Sequence, residues 1–141
     1  MGKSLVLLKG LLWFVAGFHM IVGTGLNVSP GLMQFMADFY GAQVDWTPQF
    51  VYILKPLGAF MFVMGMMAAA AARDPLNNRP IVLGFVSLFL IRAAQRPLFA
   101  NDIYSAFAVP PARNLSNMIL FFVLAGALFF LFRRARKAAQ G

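Results

Sequence analysis

Residues 115–132 read LSNMILFFVLAGALFFLF, eighteen positions without a charged side chain. An apolar helix needs about 20 residues to cross about 30 Å of hydrocarbon, and uncharged runs of this length are read as candidate spans. Directly after it comes RRARK, Arg133–Lys137. An apolar run that stops in a dense positive cluster has the pattern of a span held at its cytoplasmic end. Asn114, just before the run, is of a type that caps helix N-termini.

Three further stretches upstream are also long and largely apolar, though they carry Lys9, Lys55, Arg92 and Arg96: Leu5–Leu26, Pro48–Ala71 and Pro80–Phe99. Thr47 is placed to cap the second of these, and Pro48 suits a first helical turn. The runs are too long for strands and lack the strict alternation of a lipid-facing barrel. Leu5–Leu26 is read as a span rather than a leader. It contains His19 and ends in Asn27, Ser29 and Pro30 without a small-x-small pattern. The expected fold is therefore all-α: one domain over 1–141, a four-transmembrane-helix bundle with a basic tail at 133–141.

Composition agrees. Hydrophobic residues make up 61% of the chain and charged residues 11%, more apolar surface than a water-soluble domain of this size can bury. The net charge is +8, and its placement speaks for topology rather than nucleic acid. Lys3, Lys9, Arg73, Arg79, Arg133, Arg134, Arg136 and Lys137 share one side of a four-span arrangement. The 27–47 loop has no Lys or Arg and carries Asp38 and Asp45. The positive-inside rule then predicts a multi-pass inner-membrane protein with both termini cytoplasmic. The tail is also suited to contact anionic lipid.

The first outer loop predicts a short amphipathic helix. Ser29 caps it, Pro30 starts it and Gly41 stops it. Leu32, Phe35, Met36 and Phe39 form its apolar face. Trp46, Tyr52 and Tyr104 suit the outer interface. The second outer loop, about Ala100–Arg113, is expected to be irregular because it ends in Pro110–Pro111.

Polar groups inside the spans single out one region. Counting rise per residue, Arg92 lies ~18 Å and Arg96 ~24 Å from the inner boundary, and His19 ~21 Å up the first span. Lys55 lies ~10 Å below the outer boundary. Arg92 and Arg96 are four residues apart and share a helix face. Gln95, Asn114 and Asn117 are positioned to extend a polar lining. Pro56 and Pro97 each free a carbonyl nearby, of Tyr52 and Ala93.

Two readings of this cluster stand side by side. In one, Asp38, Asp45 and Asp102 are counter-ions that neutralise Lys55, Arg92, Arg96 and Arg113 internally. In the other, Arg92 and Arg96 grip the carboxylate, phosphate or quinone-like carbonyl of an amphiphile, with Lys55 assisting and His19, Gln95 and Asn117 hydrogen bonding. His19 alone suggests an interhelical hydrogen bond, an acid/base group, or a haem ligand paired with a methionine.

Other chemistry lacks its residues. The chain has no cysteine and one histidine, so no metal site is expected. It shows no phosphate-binding glycine loop, dinucleotide fingerprint or HExxH, and no supported Ser-His-Asp set. Met61, Met64, Met66 and Met67 read as adaptable packing. Gly58, Gly65, Gly84, Ser87 and Ala125–Ala127 read as close helix contacts.

The second inner turn, AAAARDPLNNRPIV (Ala69–Val82), resembles small bacterial four-helix membrane proteins of the BphX-like and DoxX-like kind. Arg73, Asp74, Pro75 and Arg79 carry the resemblance. It implies the four-span fold and little about activity. The leading expectation is a non-enzymatic small membrane protein. It binds a lipid or amphiphilic anion in an outer-half cationic pocket, or serves as an accessory subunit of a larger complex or homo-oligomer. The competing expectation is an intramembrane oxidoreductase or electron-transfer subunit, acting on a quinone-like substrate or carrying haem.

Overall fold

A computed structural model describes residues 2–140. Six helices follow one another: α1 (Lys3–Val28), α2 (Pro30–Tyr40), α3 (Pro48–Arg73), α4 (Arg79–Leu98), α5 (Ala100–Phe107) and α6 (Pro111–Gln140). Four of them, α1, α3, α4 and α6, are long and apolar enough to cross a membrane. The protein is an all-α bundle of the multi-pass membrane type. Both described ends and the 74–78 turn lie at one end of it, called here the terminal end. The two short helices lie at the other.

Local signals were accurate at most boundaries. Ser29 Oγ accepts from Leu32 N and caps α2, while Thr47 Oγ1 accepts from Phe50 N and caps α3. Gly41 ends α2 with φ +73, a left-handed conformation that glycine adopts without a Cβ clash.

Two expectations about element boundaries need correction. The second connecting loop is not irregular over its whole length, because Ala100–Phe107 is helical. Asp102 sits in the first turn of α5, where a negative charge favours the helix N-terminus. Ala108, at φ 49, ends it by returning its N–H to the Tyr104 carbonyl. The helix that contains the fourth run also begins at Pro111, before Leu115, and runs on to Gln140. Asn114 is thus inside α6 rather than its cap, and the RRARK segment continues the helix as good helix formers allow.

Asn114 acts on other elements instead. The last carbonyls of a helix have no partner within it. Three side chains near the start of α6 satisfy such carbonyls elsewhere. Asn114 Nδ2 donates to the Arg96 carbonyl of α4 at 2.9 Å. Asn117 Nδ2 donates to the Tyr40 carbonyl of α2 at 3.0 Å. Arg113 Nη2 donates to the Phe39 carbonyl of α2 at 2.7 Å.

The long helices pack as two pairs. α1 lies chiefly against α3, and α4 chiefly against α6, with α1–α6 contacts joining the pairs. Glycines permit the first pairing. A Cβ at Gly23 would lie 2.7 Å from the Gly58 carbonyl oxygen, and one at Gly65 would lie 2.9 Å from the Ala16 carbonyl oxygen. Gly84 and Gly126, expected at similar contacts, have nothing within 4 Å of such a Cβ. Ser87 is exposed as well. Those positions face outwards because α4 and α6 meet through larger side chains, among them Phe85, Phe89 and Phe121.

The core divides along the bundle axis. Towards the terminal end all four long helices share one cluster, with Leu8, Leu12, Ala71, Val82, Leu128 and Phe132 buried in it. Towards the other end, Val22 and Leu26 of α1 form a second cluster with Met33 and Met36 of α2. Leu54 and Met61 of α3 pack against that cluster. There α3 and α4 part company, and a cavity lies between them.

The buried face of α2 also differs from the expectation. Met33, Met36 and Ala37 turn inward, while Phe35 and Phe39 are 59% and 39% exposed. Leu32 instead fills the space beside Gly25. This helix is apolar on more than one side, and its hydrogen bonds to α6 decide which side caps the bundle.

Candidate functional site

The cavity has a volume of about 390 Å³. Its walls are mostly apolar. α1 contributes Val22 and Leu26, α2 contributes Met33, Met36 and Tyr40, and α3 contributes Leu54, Leu57 and Met61. Arg92, Gln95 and Arg96 of α4 form the polar side. Trp46, Phe50 and Phe107 line the end away from the chain termini. The expectation that Arg92 and Arg96 share a face holds, and both are half-buried on this wall.

Aromatic rings hold the two guanidinium groups. Arg92 Cζ lies 4.6 Å from the centroid of Phe121 and 5.9 Å from that of Tyr40. Arg96 Cζ lies 5.4 Å from Tyr40 and 5.9 Å from Phe121. The two rings stack at 6.2 Å with 25° between planes. Phe121 stacks in turn on Phe89. This aromatic seat escaped the sequence reading. The available signal was Tyr40, one turn after Met36 on a helix that must cover the bundle.

The hydrogen bonds of the arginines lead away from the acids. Arg96 Nη1 donates to Asn114 Oδ1 over a long 3.4 Å, and Arg113 is turned to the Phe39 carbonyl. Asp38 accepts from Gln34 Nε2 at 2.8 Å, and Gln34 Oε1 accepts from Trp46 Nε1 at 2.9 Å. None of these bonds joins a guanidinium to Asp38, Asp45 or Asp102. Asp45 and Asp102 are exposed.

Magnitudes make the consequence clear. A cation–π contact contributes about 0.5–2 kcal/mol. A cationic side chain at mid-span costs about 2.5–3.5 kcal/mol on the insertion scale. Two like charges a helical turn apart add repulsion. Each arginine makes two such ring contacts, which together are of the same order as its insertion cost.

The remaining candidates are distributed around this pair. Lys55 is exposed on α3 and does not line the cavity. Asn117 is buried and engaged with the Tyr40 carbonyl, so its visible role is to hold α2 in place. Gln95 lines the cavity and is exposed. His19 does not line the main cavity but shares with Arg92, Tyr40 and Met61 the lining of a smaller one of about 130 Å³.

His19 is buried with its ring edge-on to Phe18 and Phe85, at 5.7 and 5.6 Å between centroids. Its Nδ1 lies 2.8 Å from the Val15 carbonyl of its own helix. A carbonyl only accepts, so Nδ1 carries the proton that it donates. This bond is within α1, where the sequence suggested an interhelical one.

At the terminal end, the 74–78 turn is organised by Asp74. Its carboxylate accepts from Asn77 Nδ2 at 2.6 Å and from Asn77 N at 3.3 Å. These bonds, the side-chain one foremost, hold its pKa below the ordinary carboxylate value. Pro75 is fully buried next to it. No known protein family, curated protein or solved structure matches this chain.

Proposed function

We propose that this protein is a small inner-membrane protein that binds a lipid or other amphiphilic anion. Arg92 and Arg96 hold the anionic group and the apolar walls hold the body. The observation that carries the reading is the arginine pair itself: two guanidinium groups on one cavity wall, seated on Tyr40 and Phe121, with no carboxylate among their hydrogen-bond partners in the described residues. Guanidinium groups recognise carboxylate and phosphate oxygens by paired charged hydrogen bonds. A largely apolar cavity with a few convergent polar groups is the usual form of a small-molecule site.

The orientation is part of the proposal. Eight basic side chains lie at the terminal end, which the positive-inside rule places in the cytoplasm. The cavity then opens in the outer half of the membrane. The likeness of the 69–82 turn to BphX-like and DoxX-like proteins belongs to the same proposal, and is compatible with a non-enzymatic binding or accessory role.

Native mass spectrometry of the detergent-purified protein, with an absorbance spectrum on the same sample, tests the reading. The expected result is a reproducible bound mass. It disappears in an Arg92→Ala/Arg96→Ala variant that keeps its helical circular dichroism. A bound mass that persists in that variant overturns it. A Soret band or quinone absorbance would move the assignment to the electron-transfer class.

A further inference from the structure

The geometry points to a side opening between α3 and α4, through which a bilayer lipid with an anionic headgroup reaches Arg92 and Arg96. This rests on the binding reading above and adds the ligand's source and its route.

α3 and α4 are consecutive and joined by a short turn, yet each packs mainly against another helix. Their shared core lies towards the turn. Beyond it the cavity separates them, and its two lips can be named. Leu57 of α3 lines the cavity and is 46% exposed. Gln95 of α4 lines it and is also exposed. Residues that belong both to a cavity wall and to the outer surface of two spanning helices mark an opening towards lipid.

Gln95 is otherwise out of place. A polar side chain facing hydrocarbon loses its hydrogen bonds to water without replacement. At the lip it has a use, since its amide can donate to phosphate or carboxylate oxygens on their way to Arg96, the next residue. The opposite lip is apolar. Leu54, Leu57 and Met61 continue inward from it along one face of α3, a surface for an alkyl chain.

The end facing away from the chain termini is bridged instead. Gln43 N donates to the Phe107 carbonyl at 2.8 Å and so joins the 41–47 loop to α5. Trp46 Nε1 ties the same loop to Gln34 of α2. Phe50 and Phe107 meet at 6.2 Å between centroids. These contacts narrow that end, where Trp46 is still 38% exposed, and a lipid already in the bilayer has no need to pass them. The shared chemistry is an oxyanion on an apolar body, and the route distinguishes its sources.

The test uses Trp46, which lines the cavity. A Trp13→Phe background leaves it as the sole tryptophan, since the chain has two. The probes are phosphatidylcholine vesicles containing either brominated-chain phosphatidylglycerol or brominated-chain phosphatidylcholine. Bromine quenches tryptophan at short range. The expected result is stronger quenching by the anionic lipid, with the excess lost in Arg92→Gln/Arg96→Gln.

The route is read from the rate at which quenching develops. The chain has no cysteine, so Gln95→Cys takes a bulky methanethiosulfonate adduct that reductant removes. The adduct should slow quenching several-fold and reductant should restore it. The same adduct on Gln43→Cys should leave the rate unchanged. If the excess quenching survives the arginine variant, both the binding reading and the route fall. If the excess is lost with the arginines but the Gln95→Cys adduct does not slow it, binding stands and the side opening is wrong. If inorganic phosphate abolishes the excess, the ligand is a soluble anion and the lipid source is overturned.

Discussion

Asn114 and Arg96 bond to each other twice. The Asn114 amide donates to the Arg96 carbonyl at 2.9 Å, and the Arg96 guanidinium reaches the Asn114 carbonyl oxygen at 3.4 Å. The first bond closes the end of α4, and the second leans the guanidinium towards α6. One asparagine therefore couples the packing of two spanning helices to the position of a candidate ligand-binding charge.

Replacing Asn114 should show both effects. Asn114→Leu leaves a part-buried carbonyl unpartnered, which costs about 1–3 kcal/mol. A lower thermal unfolding midpoint in detergent is expected, with weaker retention of bound material at temperatures where the variant is still folded. An unchanged midpoint would mean that the Arg96 carbonyl finds another donor.

The glycines should separate into two classes. Gly23→Ala and Gly58→Ala place a Cβ against backbone atoms of the facing helix, so α1 and α3 must move apart and the midpoint should fall. Gly84→Ala and Gly126→Ala meet nothing within 4 Å. Replacing an exposed helical glycine by alanine should be neutral or stabilising by up to about 1 kcal/mol. Four midpoints measured in one detergent check this, and a fall for Gly126→Ala would reveal a partner helix against that face.

His19 offers a contrast with the arginines. Its Nδ1–H bonds to a carbonyl of its own helix, and its ring is surrounded by phenylalanines. His19→Phe should therefore keep the fold and keep the bound mass that Arg92→Ala/Arg96→Ala loses. Loss of the ligand or chromophore in His19→Phe alone would favour the acid/base or axial-ligand expectation.

The 74–78 turn gives a pH dependence of known sign. The Asp74 pKa is lowered in the folded chain by its bonds to Asn77. Its contribution is therefore present above the ordinary carboxylate pKa and lost as pH falls through the lowered folded value. Asn77→Ala should bring the Asp74 pKa back towards its ordinary value. The midpoint difference between the two proteins should be largest near neutral pH and disappear in acid. Asp74 is fully exposed, so the difference should be small and sensitive to salt.

What the sequence determined by itself was the part governed by neighbours along the chain. Long apolar runs predicted four spanning helices, because backbone groups in lipid must be satisfied within the segment. Ser29, Thr47 and Gly41 marked helix ends, because caps act across three or four residues. The spacing of Arg92 and Arg96 put them on one face for the same reason. Only the tertiary structure decided which apolar faces turned inward. Lipid accepts a leucine or phenylalanine as readily as a protein core does, so hydropathy did not distinguish Met33 from Phe35 or Gly58 from Gly126. Close backbone approach at Gly23 and Gly58, and hydrogen bonds from Arg113, Asn114 and Asn117 to the ends of other helices, made that choice. Those contacts join residues far apart in the chain, and they leave α3 and α4 separated around the arginines.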